Sequence, residues 1–152
     1  MALLNYTTEI SAERSISEIS KILAKVGARR IMHEYDQNGY IVALSFEIIL
    51  NDQSIGFRLP TDWRPVLRVL ETQQKTYRSQ GKRFRANVDQ EQALRVAWRI
   101  TKDWVEAQAA FIETMMVTTA QVFLPYAITK DGHTLYEYIA NNPQFLLGEG
   151  NK

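Results

Sequence analysis

The segment from Arg30 to Leu59 reads RIMHEYDQNGYIVALSFEIILNDQSIGFRL and predicts a three-stranded antiparallel meander. Asn38-Gly39 marks the first turn, because both residues tolerate the positive φ of a type I′ hairpin. The second turn falls in residues 51–54, NDQS. With these turns the apolar side chains of all three strands share one face, as a correct register requires when that face is buried.

The two turns also predict the register. A two-residue first turn pairs Tyr35 with Val42. The same register places Arg30 opposite Glu47, and a four-residue second turn places Arg58 on the other side of Glu47. Opposite charges that face each other across strands stabilise a sheet, so an Arg–Glu–Arg ladder is expected on the polar face.

Helical apolar spacing flanks the meander on both sides. Ser11 is a candidate N-cap for a first helix, and Gly27 is placed to end it. Thr61 or Asp62 caps a second helix, whose apolar pattern fades after residue 70 into a polar segment that contains glycine. We therefore predict a mobile basic loop over residues 71–86.

The longest predicted helix begins after Asn87 or Asp89 and runs to about Val117. Its apolar positions are dense, which predicts burial and self-association of the chain through this helix. A short turn follows, Thr134 opens a last helix in capping-box spacing, and residues 146–152 are predicted to be frayed.

These elements predict one α+β domain over residues 1–152, in the order α-β-β-β-α-α-α. Its two layers are the three-stranded antiparallel meander and the helices packed on one face of it. The chain has 152 residues and no cysteine, which fits a reducing compartment. We found no apolar run near the ~18 residues that a membrane span needs, and no secretory leader. We therefore expect a cytoplasmic protein without a membrane partner.

Charge is unevenly distributed, although the formal net charge is only +1. Residues 63–102 hold 10 Lys and Arg against 3 Asp and Glu, whereas both flanking regions are net acidic. One basic group lies in the predicted loop, and a second is spaced i, i+4, i+7 along one face of the long helix. The predicted phosphate-binding or nucleic-acid-binding residues are Arg78, Lys82, Arg83, Arg85, Arg95, Arg99 and Lys102, and the predicted stacking residues are Tyr77 and Phe84.

Two interpretations of these cations are open. Guanidinium groups bind phosphate in bidentate geometry, and interleaved aromatic rings can stack on bases, which together favour nucleic acid or a nucleotide. The same side chains can instead form a solvated face, or pair with acidic groups such as Asp103, Glu106 and Glu113 or with a protein partner. The loop and helix groups converge only if the chain doubles back near Arg85.

Metal and enzyme chemistry have no signature in the sequence. The two histidines, His33 and His133, have no short ligand spacing between them, and His33 falls on the apolar face of the meander. Nucleophile elbows, Walker-type loops and dinucleotide-binding loops are all absent from the sequence. We expect no metal, no cofactor and no enzymatic activity.

Two resemblances rest on particular stretches. The order helix, three strands, helix over residues 11–75 is similar to a double-stranded-RNA-binding domain, although TDWRP at 61–65 departs from the basic motif of such domains. The stretches YTTEIS at 6–11, FRLP at 57–60 and VAWRITKDWVEAQAAFIE at 96–113 resemble a set of small phage and prophage-type proteins with no assigned chemistry. That resemblance implies DNA replication or recombination, or interference with host defence.

The sequence therefore favours a non-enzymatic phage-type protein that binds nucleic acid, with single-stranded DNA as a candidate, through the basic loop and helix face. The alternative is a phage counter-defence protein that sequesters a nucleotide signal or blocks a host defence protein. A homo-oligomer formed through the long helix is expected in either case.

Overall fold

The computed structural model describes residues 2–148, which form five α-helices and one three-stranded antiparallel sheet. In chain order the elements are α1 Ala12–Lys25, β1 Arg30–Tyr35, β2 Ile41–Leu50, β3 Gln53–Arg58, α2 Trp63–Ser79, α3 Gln90–Glu113, α4 Thr119–Phe123 and α5 Leu135–Asn141, with 3-10 turns at Leu124–Tyr126 and Pro143–Leu146. The predicted α+β class, element order and long third helix are confirmed. Of the predicted frayed end, residues 149–152 lie outside the described residues.

The core lies on one face of the sheet, as predicted. Phe46 of β2 stacks on Phe57 of β3, with 5.2 Å between ring centroids, and meets Phe123 edge-on at 5.3 Å. Trp98 of α3 is fully buried, and its Nε1 donates a hydrogen bond to the carbonyl of Ile41 (3.1 Å). Apolar side chains of α1 and α3 complete the same buried cluster, so the helices form the second layer.

The first hairpin is one residue longer than the predicted two-residue loop. Gly39, and not Asn38, has a positive φ (+82°), and the Gly39 N–H donates to the Asp36 carbonyl (3.1 Å). A three-residue loop with glycine in the left-handed position introduces an extra residue beside the strands. The register therefore shifts after Glu34, and Tyr35 faces Ile41 instead of the predicted partner Val42.

The second hairpin is tighter than predicted. Asn51 and Asp52 both have positive φ (49° and 63°), so two residues make the turn for which we predicted four. The register of β2 and β3 consequently shifts by two residues, and Arg58 faces Ser45 rather than Glu47. A shift of two keeps every side chain on its predicted face, because the side chains of a strand alternate with period two.

The predicted Arg–Glu–Arg ladder is therefore wrong. Arg58 makes a bidentate contact with Glu34 of β1, at 3.0 and 3.4 Å. Glu47 accepts a hydrogen bond from the Ser54 hydroxyl (2.9 Å), and its carboxylate lies 3.8 Å from Arg30. Two separate pairs, both exposed, replace one three-membered ladder on the polar face of the sheet.

Helix α2 extends nine residues into the segment that we predicted to be a loop. It is capped by the Asp62 side chain, which accepts from the Arg64 N–H (3.0 Å), and it continues to Ser79. The loop prediction is thus wrong for residues 71–79. The inner face of this part of α2 is polar, which hides the helical pattern: Gln73 lies there and its Oε1 accepts from the Leu3 N–H (3.0 Å).

Helix α3 starts where its cap predicts and ends earlier than its apolar pattern predicts. The Asp89 side chain accepts from the Gln92 N–H (2.8 Å). The helix ends at Glu113 rather than near Val117, because Met115 takes a left-handed conformation (φ 63°). Its 24 residues give a length of about 36 Å.

The segment after α4 returns to the sheet along β3. The Ile128 N–H donates to the Gly56 carbonyl (2.8 Å), and the Leu135 N–H donates to the Ala127 carbonyl (2.7 Å). These bonds cover part of the open edge of β3 and bring α5 close to the start of α2.

Candidate nucleic-acid interface

Arg99 of α3 is bound within the protein. Its guanidinium contacts the Glu18 carboxylate of α1 at 2.7 Å and the Ser15 hydroxyl at 3.4 Å, and its side chain is only 15% exposed. The hydrogen bond from Arg99 lowers the pKa of Glu18 below its usual value, with a smaller contribution from the charge of Lys102. Arg99 therefore links α1 to α3 and is not presented to a ligand.

The other two predicted cations of α3 are also paired. Lys102 contacts Glu106 at 2.6 Å, with 14% of its side chain exposed. Arg95 contacts Glu91 at 3.3 Å and donates through Nε to the Gln92 amide oxygen (2.8 Å). The three predicted cations of α3 thus form ion pairs within the protein, which is one of the two interpretations that the sequence left open.

The predicted cations at the end of α2 and in the following loop have a different environment. Their side chains are exposed, and they make no ion pair or side-chain hydrogen bond with any other residue of the range 2–148. Four positive charges close together in sequence are thus left to solvent. These residues are Arg78, Lys82, Arg83 and Arg85.

Sequence reasoning missed two further cations on α2. Arg68 and Lys75 are exposed and lie seven residues apart, and Lys82 follows after seven more. Seven residues are close to two full helical turns, so Arg68 and Lys75 lie on one side of the helix. The opposite side packs on α3 through the fully buried Leu70. The seven-residue spacing of Arg68, Lys75 and Lys82 could have identified both residues, had the segment from residue 71 been treated as helix.

We call this surface the basic edge. It consists of the exposed, unpaired cations of α2 and of the loop over residues 80–88, and no residue in it contacts a carboxylate within the described part of the chain. Its members are Arg68, Lys75, Arg78, Lys82, Arg83 and Arg85.

The two predicted stacking residues pack together. The rings of Tyr77 and Phe84 meet edge-to-face at 5.1 Å, and Phe84 also lies 5.1 Å from the ring of Tyr6. All three side chains are half-buried, so this aromatic cluster joins the loop to the N-terminal segment and to α2. Base stacking by Tyr77 and Phe84 stays a prediction, and only the exposed parts of these rings are free for it.

The loop and α3 meet at one small cavity. Arg85 of the basic edge and Arg95 of α3 both line a space of about 330 Å³, together with Thr8, Asn87 and Gln92. Arg85 and Arg95 are thus the members of the two predicted groups that the fold brings together here. Because Arg95 is held by Glu91, the unpaired charges that line this space are those of Arg85 and Glu9.

The two histidines have ordinary structural surroundings. His33 is half-buried on the core side of β1, and its buried Nε2 has no hydrogen-bond partner among the described residues. His133 contacts Glu137 through Nδ1 (3.1 Å), and this contact lowers the pKa of Glu137. Residues 2–148 contain no group of three His, Cys, Asp or Glu side chains placed to hold a metal ion.

Comparisons with protein-family models, with curated proteins and with solved structures found no match to this chain. Within the described range, none of the helices has the length and apolar character to cross a membrane. The case for a function therefore depends on the surface chemistry of the chain itself.

Proposed function

We propose that this protein binds nucleic acid through the basic edge and is not an enzyme. The observation that carries the proposal is the contrast in charge pairing: six exposed cations on α2 and its loop have no internal partner, whereas the three cations predicted on α3 have one each. An unpaired cation can release counterions from a phosphate backbone, and a neutralised one contributes little to that exchange.

The shape of the basic edge favours an extended polyanion. α2 has 17 residues and is about 25 Å long, and the cations continue beyond its end into the loop. All six side chains are exposed, so they offer several phosphate contacts along α2 and its loop, and only Arg85 lines a cavity. Single-stranded DNA is the ligand we propose first, because it can follow these contacts by adjusting its backbone.

The resemblance to phage-type proteins sets the biological part of the proposal. On that resemblance we propose that the protein acts in the cytoplasm of a host cell, with nucleic acid of the mobile element as its ligand. Self-association through α3 would bring several basic edges together and would strengthen binding through effective concentration.

A binding measurement tests the basic edge directly. A fluorescently labelled oligothymidylate should bind at low salt and lose affinity steeply as salt rises. The double variant Arg78→Glu with Arg83→Glu should bind at least about tenfold more weakly, because two phosphate contacts become repulsive. The matched control is Lys21→Glu with Lys130→Glu, which makes the same charge change at two exposed lysines outside the basic edge.

The outcomes separate the candidate functions. Absence of binding at low salt, or equal loss in both double variants, would contradict the proposal. Tight stoichiometric binding of a small nucleotide with little salt dependence would instead support the counter-defence alternative of a nucleotide-sequestering protein.

A further inference from the structure

A cleft of about 730 Å³ lies between the start of α2 and α5. Its lining includes three aromatic side chains, Trp63, Tyr126 and Tyr136. The volume lies within the ~300–1,000 Å³ that is usual for small-molecule sites. No residue of the basic edge lines it, and neither does any of the predicted phosphate-binding or stacking residues.

The walls of the cleft are fixed by the surrounding fold. Trp63 is the first residue of α2 and follows the capping residue Asp62. Tyr126 packs edge-on against Trp104 of α3, at 5.7 Å between ring centroids. Tyr136 lies in the first turn of α5, whose start is held by the Thr134 cap, and 65% of this tyrosine is exposed. A ligand would therefore meet two anchored rings and one accessible ring.

The cations in the cleft are already paired, whereas two of its carboxylates, Asp36 and Glu137, have no Lys or Arg in contact within residues 2–148. Arg64 contacts both carboxylate oxygens of Asp62 at 3.0 Å, and this contact lowers the pKa of that carboxyl. Arg58 makes its bidentate contact with Glu34. The cleft thus supplies no unpaired cation for a phosphate, and its free chemistry consists of aromatic surface with oxygen atoms beside it.

We infer that this cleft binds a nucleobase. An aromatic wall stacks on the face of any base, and nearby hydroxyl and carboxylate oxygens accept from its exocyclic amino group. A neutral ring with an amino donor fits a cleft whose cations are paired and whose remaining charges are carboxylates, whereas a phosphate does not. The base could belong to a strand that is bound on the basic edge, because α2 connects the two sites. Arg64 lines the cleft, and Arg68 of the basic edge lies one helical turn further along α2.

The inference that the base belongs to a strand bound on the basic edge rests on the proposed function. The inference that the cleft binds a base does not. The first arm of the test therefore uses adenosine and cytidine, which carry no phosphate. Their addition should shift the indole N–H resonance of Trp63 in a ¹⁵N correlation spectrum, both in the wild type and in the Arg78→Glu, Arg83→Glu variant.

The second arm removes the accessible ring. Tyr136→Ser should weaken nucleoside binding about tenfold, which is the loss expected for one stacking contact. Tyr138→Ser is the matched control, since this tyrosine lies on the other side of α5 and does not line the cleft. Both variants are also assayed with a labelled oligodeoxyadenylate, whose bases carry the exocyclic amino group, and Tyr136→Ser but not Tyr138→Ser should lower the affinity.

Each outcome bears on one proposal. A nucleoside that leaves the Trp63 resonance unchanged, or that shifts it no more than phenol does, would overturn the base-binding cleft while leaving the basic edge intact. Nucleoside binding without oligonucleotide binding would overturn the basic edge and support the cleft. A mononucleotide that binds no more tightly than its nucleoside supports a cleft for the base alone, and much tighter binding would overturn it.

Discussion

Two regions of this molecule are rich in arginine and lysine, and the fold treats them in opposite ways. On α3, Arg99 bridges to Glu18 of α1 across 81 positions of sequence, and the neighbouring cations pair within the helix. On α2 and its loop, the six cations of the basic edge face solvent with no carboxylate in contact within residues 2–148, and Arg64 at the start of α2 is paired with Asp62. The difference arises because α3 lies between α1 and α2 in the helical layer, whereas one side of α2 is left uncovered.

This contrast shows that a count of charges does not locate a polyanion site. Both regions have the same residue types and fall within the same net-basic stretch of sequence. What separates them is the position of acidic side chains: Glu91 and Glu106 lie four residues from their partners on α3 itself, and Glu18 lies on the neighbouring helix, a contact that sequence spacing does not give. An arginine or lysine can hold two helices together or bind a ligand. Substitution should lower the stability of the protein in the first case and its affinity for the ligand in the second.

The largest expected effect is on stability. Arg99→Ala should lower the free energy of unfolding by about 2 kcal/mol, because it removes a hydrogen-bonded charge pair of low exposure and leaves Glu18 without its closest partner. Arg83→Ala should change it by less than about 0.5 kcal/mol, as is usual for exposed surface residues. Denaturant unfolding of both variants measures this, and equal effects would remove the distinction between the two regions.

The pH dependence of stability provides the next test. The folded-state pKa of Glu18 is lowered by Arg99, so the stability from this pair is present above the carboxyl's ordinary pKa and is lost as the pH falls through the folded-state value. Glu18→Gln should therefore be less stable than the wild type at pH 7, and the difference should shrink as the solution is acidified towards pH 3. A difference that stays constant with pH would show that packing, and not the charge pair, matters at this position.

Much of the fold could be predicted because its signals are local. The caps at Ser11 and Asp89 and the order of strands follow from short-range patterns, and the structure confirms them. The second turn was misplaced because a register shift of two residues leaves the apolar pattern unchanged. Only the left-handed conformations of Asn51 and Asp52 select the tighter turn, and many turn sequences accommodate them.

The candidate site was half predictable for a related reason. Arg78 to Arg85 could be recognised because a cluster of cations is visible in the sequence. Lys75 was missed because the polar residues around Gln73 concealed the second half of α2, and without that half Arg68, in the predicted part of the helix, had no second cation on its face. Pairing of Arg99 with Glu18 is a tertiary contact, which neither periodicity nor spacing reports.

A smaller effect is expected from the aromatic cluster that joins the loop to the rest of the protein. Phe84→Ala should destabilise the protein by about 1 kcal/mol, because it removes ring contacts with Tyr6 and Tyr77 from a half-buried position. It should also raise amide hydrogen exchange in residues 80–88 more than elsewhere. Phe84→Leu, which keeps apolar volume, is the control, and unchanged exchange in Phe84→Ala would show that the cluster does not hold the loop.

The smallest effect sharpens the contrast at the level of single charges. Lys75→Ala should reduce the slope of log affinity against log salt by about 0.7 for a single-stranded oligonucleotide, because one phosphate contact and its released counterion are lost. Lys102→Ala, at a lysine already paired with Glu106, should leave the slope unchanged. Titrations of the labelled oligothymidylate at four salt concentrations measure both slopes. Equal slopes in the two variants would mean that internal pairing does not decide which cations contact the ligand. That result would contradict the assignment of the basic edge as the binding site.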